Sequence, residues 1–91
     1  MIPHNKILTR TLLNRLKYKK SNKLNDYYVR KLFDNKYGFC FNRIKFHCKG
    51  WIDVESCTYI NEYKTCEIEL SSRLRTVKEL RDWEKFLWHD Q

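Results

Sequence analysis

Alanine is missing from this chain altogether, and its 91 residues include only two glycines and one proline. Gly38 and Gly50 stand far apart, so no glycine-rich loop is available to wrap a phosphate in backbone amides. No Gly-, Ser- or Pro-rich stretch reads as a linker, and residues 1–91 are expected to form a single small basic domain. No apolar run approaches the roughly 18 residues a membrane-spanning helix needs. The first residues also lack the apolar core and cleavage site of a secretory leader. A cytoplasmic protein without membrane association is therefore expected.

Closely spaced metal ligands are missing too. Cys40, Cys48, Cys57 and Cys66 are separated by seven, eight and eight residues, whereas structural zinc sites use pairs two to four residues apart so that neighbouring sulfurs converge. The cysteines read as buried thiols acting as small apolar residues, and no metal or other cofactor is expected. No nucleophile–base pair or isolated carboxylate pair stands out either, so the chain is not expected to be an enzyme.

Carboxylates are scarce in one part of the chain only. Residues 1–36 hold ten Lys and Arg (Lys6, Arg10, Arg15, Lys17, Lys19, Lys20, Lys23, Arg30, Lys31 and Lys36) against Asp26 and Asp34. The remaining residues hold nine basic and nine acidic groups, so the net charge of +8 sits wholly in the front third. A concentrated positive field selects polyanionic partners, with nucleic acid foremost.

What is present begins with a period of two. From Phe39 to Ser71, Ile44, Phe46, Cys48, Ile52, Val54, Ser56, Thr58, Ile60, Cys66, Ile68 and Leu70 share one phase. Arg43, Lys45, His47, Asp53, Glu55, Glu67 and Glu69 occupy the other. This predicts three antiparallel strands with one buried face. A first hairpin turning at Lys49-Gly50-Trp51 would set Lys45 opposite Glu55 and His47 opposite Asp53. Phe39, Cys40 and Phe41 run in the opposite phase, which predicts a bulge near Asn42 or a strand end covered on both faces. Asn61-Glu62-Tyr63 is the next turn.

Before the sheet, Leu8, Leu12, Leu13 and Leu16 make an apolar stripe at helical spacing, predicting a helix from an Asn5 cap to about Lys20. Tyr28, Val29, Leu32 and Phe33 predict a second, shorter helix capped at Asn25 or Asp26 and ending near Asn35. After the sheet, Thr76-Val77-Lys78-Glu79 is a capping box opening a helix to about His89. Its apolar arc of Val77, Leu80, Trp83, Phe86, Leu87 and Trp88 is wider than one side of a small sheet requires: either the N-terminal helices cover the remainder, or it forms a protein interface, a homodimer included. The expected architecture is α+β in the order α-α-β-β-β-α: two N-terminal helices, a three-stranded antiparallel meander and a C-terminal helix.

Two family resemblances follow. Glu67-Ile68-Glu69-Leu70-Ser71-Ser72-Arg73-Leu74 and the helix ending Phe86-Leu87-Trp88-His89-Asp90 look like the approach to the active site of SprT-type zinc metalloproteases. Asp90 stands where that family carries glutamate, and the second histidine is missing. The helix, three-stranded meander, helix order is similar to double-stranded RNA-binding domains, which implies RNA contacts from a helix, the first hairpin and the start of the last helix.

The expected function is nucleic-acid binding, RNA ahead of DNA, in a small accessory protein that interferes with a host enzyme or toxin. A Lys-, Asn- and Ile-rich composition suggests AT-rich coding sequence of the kind many phages carry. Arg10, Lys17, Lys19, Lys20, Lys23, Arg30 and Lys31 are the expected phosphate contacts, extended by Lys49, Arg73 and Arg75. The alternative is an inhibitor that docks on a host protein without nucleic acid, using Trp83, Phe86 or Trp88 as its anchor.

Overall fold

The computed structural model describes residues 6–22, 26–47 and 50–89, the last two without their side chains. Lys23, Lys49, Cys48, and the Asn5 and Asn25 caps lie outside the described residues, as does the side chain of Trp88. The order is α1 (Arg10–Arg15), β1 (Lys19–Lys20), β2 (Tyr27–Asp34), β3 (Gly38–Phe46), β4 (Ile52–Ile60), β5 (Thr65–Leu74) and α2 (Val77–His89). The five strands form one antiparallel sheet in sequential order.

This corrects the expected α-α-β-β-β-α order, and the likeness to double-stranded RNA-binding domains fails with it. The segment expected as a second helix is β2. Tyr27, Tyr28, Val29 and Phe33 suit a pleated, half-buried surface better than a helix, where their χ1 freedom would be lost. The first helix is cut to six residues. Thr9 caps it, its hydroxyl accepting from the Leu12 amide at 3.2 Å, and a Schellman turn ends it. Lys17 N–H donates to the Asn14 carbonyl (3.1 Å) and Tyr18 N–H to the Leu13 carbonyl (2.9 Å), with Lys17 left-handed at φ 73°. The chain then leaves as β1, pairing Lys19 with Val29 and Lys20 with Tyr28.

The period of two holds through β3 and most of β4. Ile44, Ile52, Val54 and Ser56 are buried on the face that α1 and α2 cover. The first hairpin register differs from expectation: Arg43 opposes Glu55 and Lys45 opposes Asp53, with Phe46 paired to Ile52. The displacement is two residues, so each side chain keeps its face.

Bulges lie elsewhere than expected. β3 runs without interruption through Asn42, while β2 bulges at Leu32 and β5 at Glu69. Both flank the level of the Phe41–Cys57 pair. The bulge at Glu69 turns Ile68 and Cys66 to the open face, and β5, the edge strand, is exposed on both faces over residues 65–71, so Cys66 is exposed where a buried thiol was expected.

Every sheet residue of the main core cluster lies on one side of that level. Tyr28, Ile44, Ile52, Val54 and Leu74 pack against Leu8, Leu13, Leu16, Tyr18, Val77 and Leu80. The α2 capping box is formed: Glu79 N–H donates to the Thr76 hydroxyl (3.3 Å) and Thr76 N–H to Glu79 Oε1 (3.0 Å).

A polar chain runs through this interior. Arg30 and the Tyr18 hydroxyl donate to Glu84 Oε2 at 2.9 and 2.8 Å. The Asn42 amide donates to the Tyr18 oxygen (3.0 Å), the Ser56 hydroxyl to Asn42 Oδ1 (2.7 Å), and the Trp83 indole to Ser56 (3.0 Å). Glu84, Asn42, Ser56 and Tyr18 are all buried, and each has its partner. Burial first, then the neighbouring Glu84, raises the Tyr18 phenol far above its ordinary value.

Candidate nucleic-acid interface

With both helices on one face, the pairing register defines the opposite face as rows running across the strands. One row is Tyr27, Lys45, Asp53 and Arg73; the next is Lys19, Val29, Arg43, Glu55 and Ser71. Beyond them come Lys31, Phe41, Cys57 and Ile68, then Asp34, Phe39, Tyr59 and Cys66. Aromatic rings and cations alternate over this surface.

Tyr27 lies under both Arg43 (5.1 Å) and Lys45 (5.8 Å), each within cation–π range. Tyr27 and Lys45, with Asp53, Glu55, Ser71 and Arg73, line an open depression of about 610 Å³. Two ion pairs fix its carboxylates: Glu55 Oε1 to Arg43 Nε at 2.8 Å and Asp53 Oδ1 to Arg73 Nε at 2.9 Å. Burial works against the Arg43 charge, but the hydrogen bond it donates to Glu55 and the nearby Cys57, Glu55 and Tyr27 together outweigh it, and the guanidinium is held above its ordinary value. Lys45 has no carboxylate in ion-pair reach among the described residues. Further along, Phe39 stacks on Tyr59 (5.1 Å, 24°), and the Lys31 ammonium sits 5.6 Å from the Phe39 ring. Burial pushes the Cys57 thiol up to about 11, so this neighbour is inert at neutral pH.

The second cationic feature is the sheet edge at α1 and β1. Arg15, Lys17, Lys19 and Lys20 are exposed and, among the described residues, meet no carboxylate within ion-pair distance. Arg10, at the start of α1, is likewise exposed, its guanidinium 5.3 Å over the Phe46 ring. Backbone geometry gathers the group, since the left-handed turn at Lys17 reverses the chain so that the helix end and β1 share one rim.

The structure therefore brings together Lys17, Lys19 and Lys20 where α1 passes into β1, sets Arg10 at the start of α1 over Phe46, and places Lys31 and Arg73 on the adjoining open face. Lys31 is also paired with Asp34 at 2.6 Å. Arg30 is separated from this group: it points inward to the buried Glu84 and holds the fold. Arg75 stands apart over the Trp51 ring (5.4 Å), its Nε buried without a hydrogen-bond partner. Trp83 is half-buried against the core and bonded to Ser56, whereas Phe86 is 56 % exposed.

Sequence reasoning missed the open-face aromatics Tyr27, Phe39 and Tyr59. Their signal is the odd phase of Phe39 and Phe41, which marks a second aromatic face of β3 and not an interruption of the strand. Among the described residues no helix is long and apolar enough to cross a membrane. Comparison with known proteins found no family, no curated protein and no solved structure that matches this chain.

Proposed function

We propose that this protein binds nucleic acid, RNA in preference to DNA, through the α1–β1 rim and the adjoining open face of the sheet. The observation that carries the reading is the rim itself. Arg10, Arg15, Lys17, Lys19 and Lys20 are exposed without carboxylate partners, while six other described cations are engaged in ion pairs. An uncompensated cationic strip costs self-repulsion in the folded state, and a polyanion relieves it. The strip continues onto a face where cations alternate with aromatic rings, the combination that grips phosphates and bases together.

The test is salt dependence. Five phosphate contacts give a slope of log affinity against log salt of about −3.5 for a single strand and about −4.5 for a duplex. Affinity should then fall roughly 100- to 500-fold between about 50 and 200 mM salt. The double variant Lys19→Glu/Lys20→Glu should flatten the slope by about two. An affinity indifferent to salt would refute the proposal.

A second reading, docking on a host protein, is supported by the exposure of Ile68 (52 %), Leu70 (40 %) and Phe86 (56 %). Capture of one host protein that persists after nuclease digestion and is lost in Phe86→Ala would favour it.

A further inference from the structure

The end of the sheet where β2 turns into β3 and β4 into β5 carries a feature that the rim does not explain. Tyr37 and Tyr63, in the turns joining β2 to β3 and β4 to β5, are 64 % and 67 % exposed. The two turns are tied together, the Asn61 amide donating to the Tyr37 carbonyl at 2.9 Å. Asn35 holds Tyr37 in place, its side-chain oxygen accepting from the Tyr37 and Gly38 amides at 2.9 and 2.8 Å. Gly38 has to be glycine here, because a Cβ would fall 1.9 Å from the Tyr59 carbonyl oxygen. Directly beside these turns lies the stacked Phe39–Tyr59 pair.

Lysines accompany the rings. Lys36 lies 5.8 Å from the Tyr37 ring centre and Lys31 5.6 Å from that of Phe39. Lys64 closes the second turn in a left-handed conformation, φ 52°. Asp34, paired with Lys31, and Glu62 are the carboxylates of these turns.

We infer that this end of the sheet takes an unpaired strand of nucleic acid. Its bases stack on Tyr37, Phe39, Tyr59 and Tyr63, and its phosphates lie along Lys31, Lys36 and Lys64. The inference rests on the nucleic-acid reading above and narrows it. Exposed rings offer flat apolar faces, and only bases freed from pairing present matching faces; a duplex shows such a surface its phosphates and base edges. Rings without cations would fit an apolar partner as well, and cations without rings would fit a duplex.

The experiment uses the full chain and four labelled probes of equal length: oligo-U RNA, oligo-dT DNA, and an RNA and a DNA duplex. Anisotropy is read at about 50 mM salt for the wild type and for Tyr37→Ala/Tyr63→Ala. Both positions are exposed, and retained far-UV circular dichroism checks that the variant folds. Single strands should bind at least tenfold more tightly than duplexes. The double variant should lose about five- to 150-fold for each base unstacked, with duplex affinity unchanged. The tighter of oligo-U and oligo-dT names the source of the strand. Equal affinity for single strands and duplexes, or wild-type binding by the variant, overturns this inference and leaves the nucleic-acid reading standing. No binding to any probe overturns both.

Discussion

Replacing Glu84 measures how much of this fold hangs on one buried carboxylate. Its side chain is 6 % exposed and accepts two hydrogen bonds on one oxygen, from Tyr18 at 2.8 Å and Arg30 at 2.9 Å, with Arg81 3.7 Å from the other. Glu84→Gln keeps the volume and an acceptor for the Tyr18 hydroxyl but removes the charge facing Arg30. A hydrogen bond to a charged group contributes about 1.5–3 kcal/mol. Arg30, 26 % exposed, regains part of that from water, so a loss of about 2 kcal/mol is expected. Glu84→Leu also strands the Tyr18 hydroxyl in the interior and should cost about 4 kcal/mol. A domain of this length has roughly 5–14 kcal/mol in total, so the leucine variant sits near the limit of folding. With a urea m-value near 1–1.5 kcal/mol/M, Glu84→Gln should move the unfolding midpoint down by about 1.3–2 M. The cycle with Arg30→Met should show a coupling of at least about 1 kcal/mol. A midpoint shift below about 0.5 M for both Glu84 variants would refute the claim that this polar chain holds helix to sheet.

Two further outcomes follow from the same region. Tyr18 has a folded-state pKa raised by burial and by Glu84 above the ordinary 10.0. Its contribution is therefore fully present below about pH 10 and is lost as pH rises toward the folded value. Wild-type stability minus that of Tyr18→Phe should stay flat from about pH 7 to 9, then fall by up to about 1.4 kcal/mol per pH unit above 10. Lys17, left-handed at φ 73°, occupies a position that glycine fills without strain. Lys17→Gly should raise stability by about 1 kcal/mol, seen as a melting point about 4–8 °C higher. It should also flatten the salt slope of nucleic-acid binding by about one. A glycine variant that is no more stable would show that the turn stores no strain.

The back half of the fold was legible because its signals were short-ranged and redundant. Ile44, Ile52, Val54 and Ser56 keep one phase, and Thr76 with Glu79 marks the helix start from two positions at once. The front half was not. Leu12, Leu13 and Leu16 fit a helix of any length, and nothing but the left-handed turn at Lys17 decides that it stops there. Tyr28, Val29, Leu32 and Phe33 satisfy a helical spacing by accident of the bulge at Leu32, which brings Phe33 onto the face that Tyr28 occupies. On the candidate surface, the rim lysines were visible as charge, but Arg30 was indistinguishable from them. Only Glu84, 54 residues away, shows that Arg30 belongs to the interior.

The two bulges, at Leu32 and Glu69, bracket the same level of the sheet from its second and fifth strands. Together they score a crease across it. Above the crease the strands are clamped by two helices and the polar chain; below it, the leaf carrying Tyr37 and Tyr63 has its ladder bonds, the Phe39–Tyr59 stack and the last turn of α2, where Leu87 faces Phe33 and Cys40. Such a leaf peels open as its own cooperative unit, its amides exchanging with solvent while those of Ile44 and Val54 stay locked. A strand stacked on the leaf's rings should slow that exchange.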